Sequence, residues 1–348
     1  MKSIKIREKT IRNNGSCFII AEAGVNHNGD INSAKKLVDA AKNVGADAVK
    51  FQTFKSEKLV TDSVNMASYQ IENIGRKESQ YNMLKKLELE YNEFIILKKY
   101  CDSKDIIFLS TPHSFDAIDF LDRLVPAFKF GSGDITNIPT LRYAARKNKP
   151  IILGTGMSTI DEVKTAIDAI KKEGNNEIIV LHCTTNYPCQ FEEVNLRAIL
   201  TMQNELDCLI GYSDHSLGNI VSVAAVSMGA VVIEKHLTLD KTMKGPDHCS
   251  SLNPDEFKNL VYDIRNVEKI LGNFCKKPEK SEKEIKNVVR KSLVANKNIE
   301  KGSILDEDMI VIKRPGTGLP PFELEKIFGK KTKKNIVKDE LFDLDMVE

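Results

Sequence analysis

Residues 231–248 read VVIEKHLTLDKTMKGPDH, and the stretch changes from apolar to charged within one residue. Residues 231–233 have the composition of a buried β-strand. Glu234, Lys235 and His236 follow at once. Apolar strands that end in titratable residues are typical of barrel enzymes, which carry their active sites at the carboxyl ends of the strands. The stretch therefore predicts a barrel strand that brings an acid, a base and an imidazole to one face.

Seven further apolar runs precede this stretch, and segments with helical patterns separate them. Most runs are continuously apolar, as parallel strands buried on both faces should be. The segments between them carry helix signals, such as the capping-box spacing of Thr159 and Glu162 ahead of an apolar stripe that Gly174 ends. Eight strand–helix units predict a (β/α)₈ TIM barrel over about residues 15–272; an open doubly wound sheet is the alternative, because periodicity does not prove closure. The predicted strands are Cys17–Gly24, Ala48–Thr53, Ile106–Pro112, Ala127–Gly133, Pro150–Gly156, Ile178–Thr184, Cys208–Asp214 and Val231–His236.

The composition and the local sequence pattern of the chain change after the predicted barrel. Residues 276–291, KKPEKSEKEIKNVVRK, are highly charged and are typical of a linker. Short strand-like pieces punctuated by glycine and proline follow. We therefore expect a catalytic domain over 1–275, a linker over 276–291 and a small second domain over 292–348. The polar stretch 56–84 inside the barrel is long enough to be a lid or binding segment.

Bulk composition excludes several classes of protein. The formal charge of +2 gives no general attraction to nucleic acid or membrane, so we expect neither as a partner. No apolar run approaches the roughly 20 residues of a membrane span, and the first residues lack the apolar core of a secretory signal. The seven cysteines are scattered without a CxxC pair, which predicts reduced thiols and a cytoplasmic protein. Cys183, within an apolar run, is interpreted as a small core residue.

The histidines concentrate at strand ends. Of the six, only His182 lies within a predicted strand, and the other five, which end or follow one, are His27, His113, His215, His236 and His248. His215 and His236 end neighbouring strands, so their imidazoles could share a divalent ion such as Mn²⁺, Fe²⁺, Co²⁺ or Zn²⁺, with open positions for substrate oxygen or water. The alternative is a pair of hydrogen-bonding histidines without a metal.

Charged residues inside apolar strands indicate an anionic substrate. Burying Lys50 or Lys129 is unfavourable without an anion nearby. That anion is either a protein carboxylate such as Glu22, or a phosphate or carboxylate of a substrate. Hydroxyl groups at the same strand ends suit phosphate oxygens, and they belong to Ser110, Thr111, Ser132 and Ser213. Glu22 ends the first strand, beside the eighth in a barrel, where it could neutralise Lys50 or Lys235 or carry out acid–base work.

Ten motifs in order give a specific resemblance. They are IAEAGVNHNGD, ADAVKFQTF, FLSTP, FKFGSGD, TGMST, LHCTTNYP, GYSDHS, VIEKHLTLDK, GPDH and KRPGTG. Over nearly the whole chain this pattern resembles the sialic acid synthase family, the nonulosonate synthases. The resemblance implies a TIM barrel followed by a SAF (antifreeze-like) domain, and a domain-swapped homodimer. It also implies that phosphoenolpyruvate condenses with N-acetylmannosamine or a close analogue, with release of phosphate, and that a divalent metal assists; we expect Mn²⁺, with Mg²⁺ or Co²⁺ as alternatives.

The resemblance also implies roles for individual residues. Glu22 and Glu234 would be catalytic, and His215 and His236 would hold the metal. Arg314 of a second subunit would reach the N-acetyl group of the sugar. Phosphoenolpyruvate would be held by Lys50, Thr111, Lys129, Ser132 and Ser213, and the sugar would be contacted by Gln52, Asp134, Tyr187 and Asp247.

Two positions depart from the family pattern. Asp134 stands where glutamate is usual, and Gly154 stands where serine is usual. The shorter carboxylate leaves room beside the sugar, so the alternative substrate is a 2,4-diacetamido-2,4,6-trideoxymannose and the alternative enzyme a legionaminic acid synthase.

Two further alternatives lie outside this family. A synthase acting on a phosphorylated sugar, of the octulosonate or heptulosonate type, is disfavoured by the two histidines and the small second domain. A non-catalytic carbohydrate- or ice-binding protein is disfavoured by the charged tail, whose lysines are Lys326, Lys330, Lys331, Lys333, Lys334 and Lys338.

Overall fold

The computed structural model of the chain describes residues 2–348. Contacts divide the chain into two units, Met1–Gly272 and Asn273–Glu348. None of the helices among residues 2–348 is both long enough and apolar enough to cross a membrane.

The strands of the first unit fall into a hairpin and a large sheet. The hairpin consists of β1 (Ser3–Ile6) and β2 (Lys9–Arg12), which pair antiparallel. The sheet consists of β3 (Phe18–Gly24), β4 (Ala48–Thr53), β5 (Ile107–Pro112), β6 (Phe128–Phe130), β7 (Ile151–Gly154), β8 (Ile178–His182), β9 (Leu209–Asp214) and β10 (Val232–His236).

Helices follow the strands of the sheet. In chain order they are α1 (Ile31–Asn43), α2 (Ser56–Leu59), α3 (Ser68–Ile74), α4 (Gln80–Lys85), α5 (Tyr91–Ser103), α6 (Phe115–Asp122), α7 (Ile138–Ala145), α8 (Ile160–Lys172), α9 (Arg197–Glu205), α10 (Ile220–Ser227) and α11 (Pro254–Leu271). Thr159 and Glu162 form the predicted capping box at α8, and Asn253 and Glu256 form a second capping box at α11.

The sheet is a closed barrel of parallel strands. Its hydrogen-bonded order is β5-β4-β3-β10-β9-β8-β7-β6, so the first and last strands of the predicted set are neighbours. Strands β5 and β6, at the two ends of this order, lie against each other. The (β/α)₈ prediction is therefore confirmed, and the open doubly wound alternative is wrong because the two ends of the strand order, β5 and β6, contact each other.

Alternation along the strands separates two cores. Every second side chain points into the barrel, where apolar residues fill the amino end: Phe18, Ile20, Ala48, Ile107, Leu109, Ala127, Ile152, Ile179, Leu181, Leu209 and Val232. The intervening side chains point outward and pack against the helices, as Phe51, Phe108, Ile210 and Tyr212 do. The next inward-pointing residues after this apolar layer are polar. The alternation of the strands therefore places polar side chains inside the barrel at its carboxyl end.

The hairpin β1–β2 covers the amino end of the barrel. Its Ile4, Ile6 and Ile11 are buried and belong to the same apolar cluster as the inward residues of that end. Burying these three side chains removes apolar surface from water and stabilises the amino end of the barrel.

Residues 56–87, which we call the cover segment, contain the three short helices α2, α3 and α4. The sequence predicted a long polar loop over 56–84. Its apolar residues, Met66, Met83 and Leu87, instead form a separate buried cluster with Val25 and Phe54. The cover segment is therefore held at the carboxyl end of the barrel by its own small core.

The second unit contains α12 (Glu282–Val289), β11 (Ser292–Ala295) and β12 (Ile310–Lys313), and the two strands pair antiparallel. The helix occupies part of the segment 276–291 that was expected to be a linker. The core of the unit consists of buried apolar residues from β11 and from the segments outside the two strands, including Leu293, Ile299, Leu305, Ile327, Ile336 and Phe342.

Candidate active site

One cavity opens at the carboxyl end of the barrel, and most of the candidate residues line it. The candidates on its wall are Glu22, Lys50, Gln52, Thr111, Lys129, Ser132, Tyr187, Ser213, His215, Glu234, His236 and Asp247. Asp134 lies just outside this lining, half-buried, where its carboxylate accepts a hydrogen bond from Asn137 Nδ2 at 3.2 Å. Arg314 belongs to the second unit, where it is exposed.

Four buried charges form a chain across the floor of the cavity. Lys50 Nζ lies 2.9 Å from Glu22 Oε2 and 3.6 Å from Glu234 Oε2. Lys129 Nζ lies 3.2 Å from Glu234 Oε1. All four residues are at most 5% exposed, so little water screens their charges. From the sequence, the anion near each lysine could be a protein carboxylate or a substrate anion. In the structure, the carboxylates of Glu22 and Glu234 lie beside the lysines.

The two carboxylates of this chain differ in character. Burial raises the pKa of Glu22 to about 7, and the ammonium group of Lys50 offsets only part of that effect. Burial would also raise the pKa of Glu234, but the ammonium groups of Lys129 and Lys50 outweigh it and hold that pKa below its usual range. Glu22 can therefore exchange a proton near neutral pH while Glu234 stays ionised. With Glu22 protonated, the two lysines exceed the remaining carboxylate by one positive charge, which favours an anionic ligand.

Hydroxyl groups surround the lysines. Lys50 Nζ donates to Thr111 Oγ1 at 3.2 Å, and Ser213 Oγ donates to Glu234 Oε1 at 3.1 Å. Ser132 Oγ accepts a hydrogen bond from the backbone N–H of Gly156 at 2.9 Å. Ammonium, hydroxyl and backbone N–H groups are the donors that phosphate oxygens require.

His215 and His236 face each other with ring centroids 5.7 Å apart. Nδ1 of His215 lies 2.6 Å from the carbonyl oxygen of Thr184 and donates to it, which leaves Nε2 with its lone pair and only a long 3.4 Å contact to Ser213. Nδ1 of His236 is buried without a hydrogen-bond partner. Burial lowers the pKa of His215 to about 4 and that of His236 well below its usual value, so both rings are neutral near pH 7.

These two imidazoles fit a divalent ion. Metal ligation needs neutral rings, and a ring whose second nitrogen donates to a carbonyl is oriented for it. Within residues 2–348 no group of three or more histidine, cysteine, aspartate or glutamate side chains is placed to hold an ion. Oxygens of substrate or water would therefore complete the coordination of an ion held by this pair.

The upper part of the cavity is aromatic and acidic. The centroid of the Tyr187 ring lies 4.1 Å from that of the His215 ring and 5.5 Å from that of the His236 ring. Asp247 Oδ2 lies 3.9 Å from His236 Nδ1, and burial raises the pKa of Asp247 to about 6. Gln52 Nε2 donates to Glu22 Oε1 at 3.3 Å, which connects this part to the charged floor.

Several cavity residues were missed from the sequence. The Tyr69 ring of the cover segment packs against that of Tyr187 with centroids 5.2 Å apart and planes tilted by 34°, and its neighbour Gln70 also lines the wall. Asn73 Nδ2 donates to the carbonyl oxygen of Pro246 at 2.6 Å, which ties α3 to the loop that carries Asp247. Aromatic and amide residues in a segment already suspected of being a lid were the available signal.

Cys183 and His113 also line the cavity. Cys183 is buried, as predicted, but it continues the inward alternation of Leu181, and its Sγ lies 3.1 Å from both Ser132 Oγ and the Gly156 nitrogen. It therefore faces the site instead of the core between strands and helices. His248, by contrast, holds loops together: its Nδ1 lies 2.7 Å from Thr238 Oγ1 and its Nε2 lies 3.3 Å from Asn28 Oδ1.

Comparison with known proteins agrees with this architecture. Residues 37–276 match the NeuB family and residues 290–348 match the SAF domain, which confirms the predicted second domain. An N,N'-diacetyllegionaminic acid synthase of Legionella pneumophila is 46% identical over 326 residues, 92% of each chain. The N-acetylneuraminate-9-phosphate synthase of Homo sapiens is 37% identical over 95% of this chain and 93% of its own. The crystal structure of an N-acetylneuraminic acid synthetase of Leptospira borgpetersenii, in complex with citrate, aligns with a TM-score of 0.73 and 36% identity over 82% of this chain and 95% of that one.

Proposed function

This chain belongs to the NeuB family, whose members are phosphoenolpyruvate-dependent nonulosonate synthases, and on that premise we propose its substrates and the work of its residues. It condenses phosphoenolpyruvate with an N-acylated mannosamine, and the proposed preferred sugar is 2,4-diacetamido-2,4,6-trideoxymannose. The observation that carries the proposal is the buried chain of Glu22, Lys50, Glu234 and Lys129 beneath two neutral histidines in one cavity.

The lysines and hydroxyls support binding of phosphoenolpyruvate. Its phosphate and carboxylate are both anionic, and Lys50 and Lys129 provide two buried ammonium groups within one cavity. Hydroxyls of Thr111, Ser132 and Ser213 stand around them. An anion bound here would compete with Glu22 for Lys50, and the raised pKa of Glu22 lets it take up a proton in response.

The proposed reaction joins C3 of phosphoenolpyruvate to C1 of the open-chain sugar, and the aldehyde oxygen takes up a proton. Positive charge then develops at C2, and water adds there. The C–O bond to phosphate breaks, which releases inorganic phosphate and a 2-keto acid. Ionised Glu234 lies on the cavity floor where it can stabilise the charge at C2, and Glu22 can hold or deliver a proton near neutral pH.

A divalent ion fits the proposal at His215 and His236, and we propose Mn²⁺, with Mg²⁺ or Co²⁺ as alternatives. When bound, it would act as a Lewis acid on the aldehyde oxygen of the sugar. His215 is oriented for this by the carbonyl oxygen of Thr184, and Asp247, beside His236, is available to a sugar hydroxyl.

Two observations support the diacetamido sugar over N-acetylmannosamine. The Legionella relative, named for diacetyllegionaminic acid, is 46% identical, against 37% for the human relative named for N-acetylneuraminate 9-phosphate. Asp134 is one methylene shorter than the glutamate usual in the family pattern, and burial raises its pKa. The shorter carboxyl group leaves room for a second acetamido group.

Substrate preference tests this proposal directly. The purified chain with Mn²⁺ and phosphoenolpyruvate is offered the diacetamido sugar, N-acetylmannosamine or N-acetylmannosamine 6-phosphate, and phosphate release is measured. We expect kcat/KM for the diacetamido sugar to exceed that for N-acetylmannosamine about tenfold to a hundredfold, because a missing buried hydrogen-bonding group costs about 1–3 kcal/mol.

A matched variant, Asp134→Glu, should reduce that ratio toward one without changing the KM for phosphoenolpyruvate. A wild-type preference for N-acetylmannosamine would contradict the diacetamido sugar as the preferred substrate. A preference for N-acetylmannosamine 6-phosphate would contradict both unphosphorylated sugars as the preferred substrate. No phosphate release with any of the three would contradict the proposed reaction.

The cover segment gives a second prediction. Tyr69→Ala removes the ring that packs against Tyr187, so the KM for the sugar should rise about tenfold, which corresponds to about 1.4 kcal/mol. The KM for phosphoenolpyruvate should stay within about twofold, because the lysines lie on the floor of the cavity. Tyr262→Ala, at a residue of α11 that is 67% exposed, is the control and should change neither constant. Equal increases in both constants would contradict a sugar-specific role.

We further propose a cytoplasmic homodimer in which Arg314 of one subunit contacts the N-acetyl group in the other. The resemblance to the family supports this arrangement, and light scattering of the full chain, together with the sugar KM of Arg314→Ala, would test it.

A further inference from the structure

Lys235 takes no part in the chemistry above, although it lies between Glu234 and His236. Its side chain points outward from β10, away from the cavity, and is 0% exposed. Asp214 is its register partner on β9, and Lys235 Nζ lies 2.9 Å from Asp214 Oδ2. Replacing a buried ion pair by apolar residues is often neutral or stabilising, so stability alone is a weak explanation for this one. The neighbouring outward side chains, Ile233 and Tyr212, show that this layer accepts apolar residues.

The two charged groups converge on Ser216, the residue after His215. Asp214 Oδ1 accepts hydrogen bonds from the Ser216 backbone nitrogen at 2.9 Å and from its hydroxyl at 2.6 Å. Lys235 Nζ donates to the Ser216 carbonyl oxygen at 2.5 Å. Both backbone polar groups of Ser216 are therefore fixed by this one pair, and apolar side chains could not replace those bonds.

Further bonds extend this clamp to both sides of His215. Asp214 Oδ2 accepts from Ser222 Oγ of α10 at 2.6 Å, which holds the carboxylate itself in place. The carbonyl oxygen of His215 accepts from the backbone nitrogen of Cys189 at 2.9 Å. The peptides before, at and after His215 are thus anchored, and one anchor is a side chain of the strand that ends in His236.

We propose that Asp214 and Lys235 are positioning residues that set the distance and orientation of His215 relative to His236, and so determine the affinity of the site for a divalent ion. This role rests on the proposed function, in which the two histidines hold that ion. The pair joins the strands β9 and β10 from their outer side while the histidines face the cavity on the inner side. Outer groups that orient metal ligands typically change metal affinity by 10–100-fold when they are removed.

The test separates positioning from stability. Removing one charge leaves the other buried without a partner, so the informative variant is the double exchange Asp214→Asn with Lys235→Met, which removes the ion pair and keeps side-chain size. Mn²⁺ alone is titrated calorimetrically into the full chain, and thermal unfolding is followed on the same samples. We expect the Kd for Mn²⁺ to rise about 10–100-fold while the protein remains folded.

The matched control is Val232→Ala, at the other end of the same strand, where the side chain is 0% exposed and belongs to the apolar core of the amino end. It should lower the unfolding temperature by creating a cavity and leave the Kd for Mn²⁺ unchanged. A double variant that binds Mn²⁺ as the wild type does would overturn the positioning role. The proposed metal site itself would instead be overturned if the wild-type protein bound no Mn²⁺ and the variants His215→Ala and His236→Ala kept the wild-type activity.

A milder variant keeps the test decisive if the double exchange does not fold. Ser216→Ala removes only the hydroxyl bond to Asp214, and losing one hydrogen bond to a charged group should raise the Kd for Mn²⁺ about threefold to tenfold. An unchanged Kd in that folded variant would contradict the proposal.

Discussion

His236→Ala should lower kcat at least about a thousandfold and abolish binding of Mn²⁺, and His215→Ala should do the same. Each substitution removes one of the two neutral imidazoles that meet across the cavity 5.7 Å apart. A Lewis acid contributes several kcal/mol to stabilising charge in a transition state, and each 1.36 kcal/mol corresponds to a factor of ten in rate. The measurements are phosphate release at saturating substrates and calorimetric titration with Mn²⁺.

His182→Ala is the matched control for this loss. His182 also belongs to a barrel strand, but its ring is half-buried and its Nε2 bonds the carbonyl oxygen of Val194 at 2.9 Å, away from the cavity. That variant should lose some stability and retain both metal binding and turnover. Undiminished activity of His215→Ala or His236→Ala would eliminate the metal assignment, whatever the control does.

Lys129→Met should reduce kcat/KM for phosphoenolpyruvate about 30-fold to several thousandfold. Truncating one member of a buried, hydrogen-bonded charge pair costs about 2–5 kcal/mol, and here it leaves Glu234 with Lys50 at 3.6 Å as its remaining ammonium partner. With Glu22 protonated, one ammonium group would then face one carboxylate, so the cavity would lose the net positive charge that favours the phosphate. The loss should appear mainly in the KM for phosphoenolpyruvate, with a smaller change in the KM for the sugar.

Lys149→Met provides the comparison for this substitution. Lys149 is also partly buried and ion-paired, with Asp122 at 3.2 Å, but it does not line the cavity. It should lower the unfolding temperature slightly and leave both KM values unchanged. If Lys129→Met retained the wild-type KM for phosphoenolpyruvate, the buried lysines would have to be regarded as structural partners of the two glutamates.

Much of the barrel could be predicted because its strands are long apolar runs with clear helix caps between them. Ala48–Thr53 was predicted with its observed ends, whereas Ala127–Gly133 shortened to Phe128–Phe130. The residues lost at its carboxyl end, Gly131 to Gly133, leave the ladder because they begin a 3₁₀ turn that brings Ser132 to the cavity.

The hairpin β1–β2 and the helices of the cover segment could not be predicted with the same rules. The hairpin has only Ile4, Ile6 and Ile11 as buried residues, too few for a periodic signal in a polar sequence. The helices of the cover segment are at most seven residues long, and their apolar residues are spread over a mostly polar stretch. Tertiary packing decides both segments, so local pattern does not reveal them.

Some residues of the candidate site could likewise be predicted from local sequence, and others depend on tertiary packing. Strand ends and the family resemblance pointed to Glu22, Lys50, Lys129 and Glu234, and the structure shows why they meet: each follows an inward apolar residue by two positions. The partner of Lys235 could not be read from the sequence, because it depends on the register between β9 and β10. Tyr69 and Cys183 were missed for a related reason: which side of a strand or helix faces the cavity is set by neighbours far away in the chain.

The pairing of β3 with β10 has a consequence for how the protein is made. Phe18 is among the earliest residues of the barrel to be synthesised, and its partner Val232 is among the last. Until β10 has left the ribosome, β3 lacks one neighbour and the isoleucines of the hairpin β1–β2 lack part of the floor that they cover. Contacts so distant in sequence form slowly because a long loop must close first. The nascent amino-terminal half therefore exposes apolar strand edges until β10 emerges, and we expect it to be the part of the newborn chain that chaperones shield.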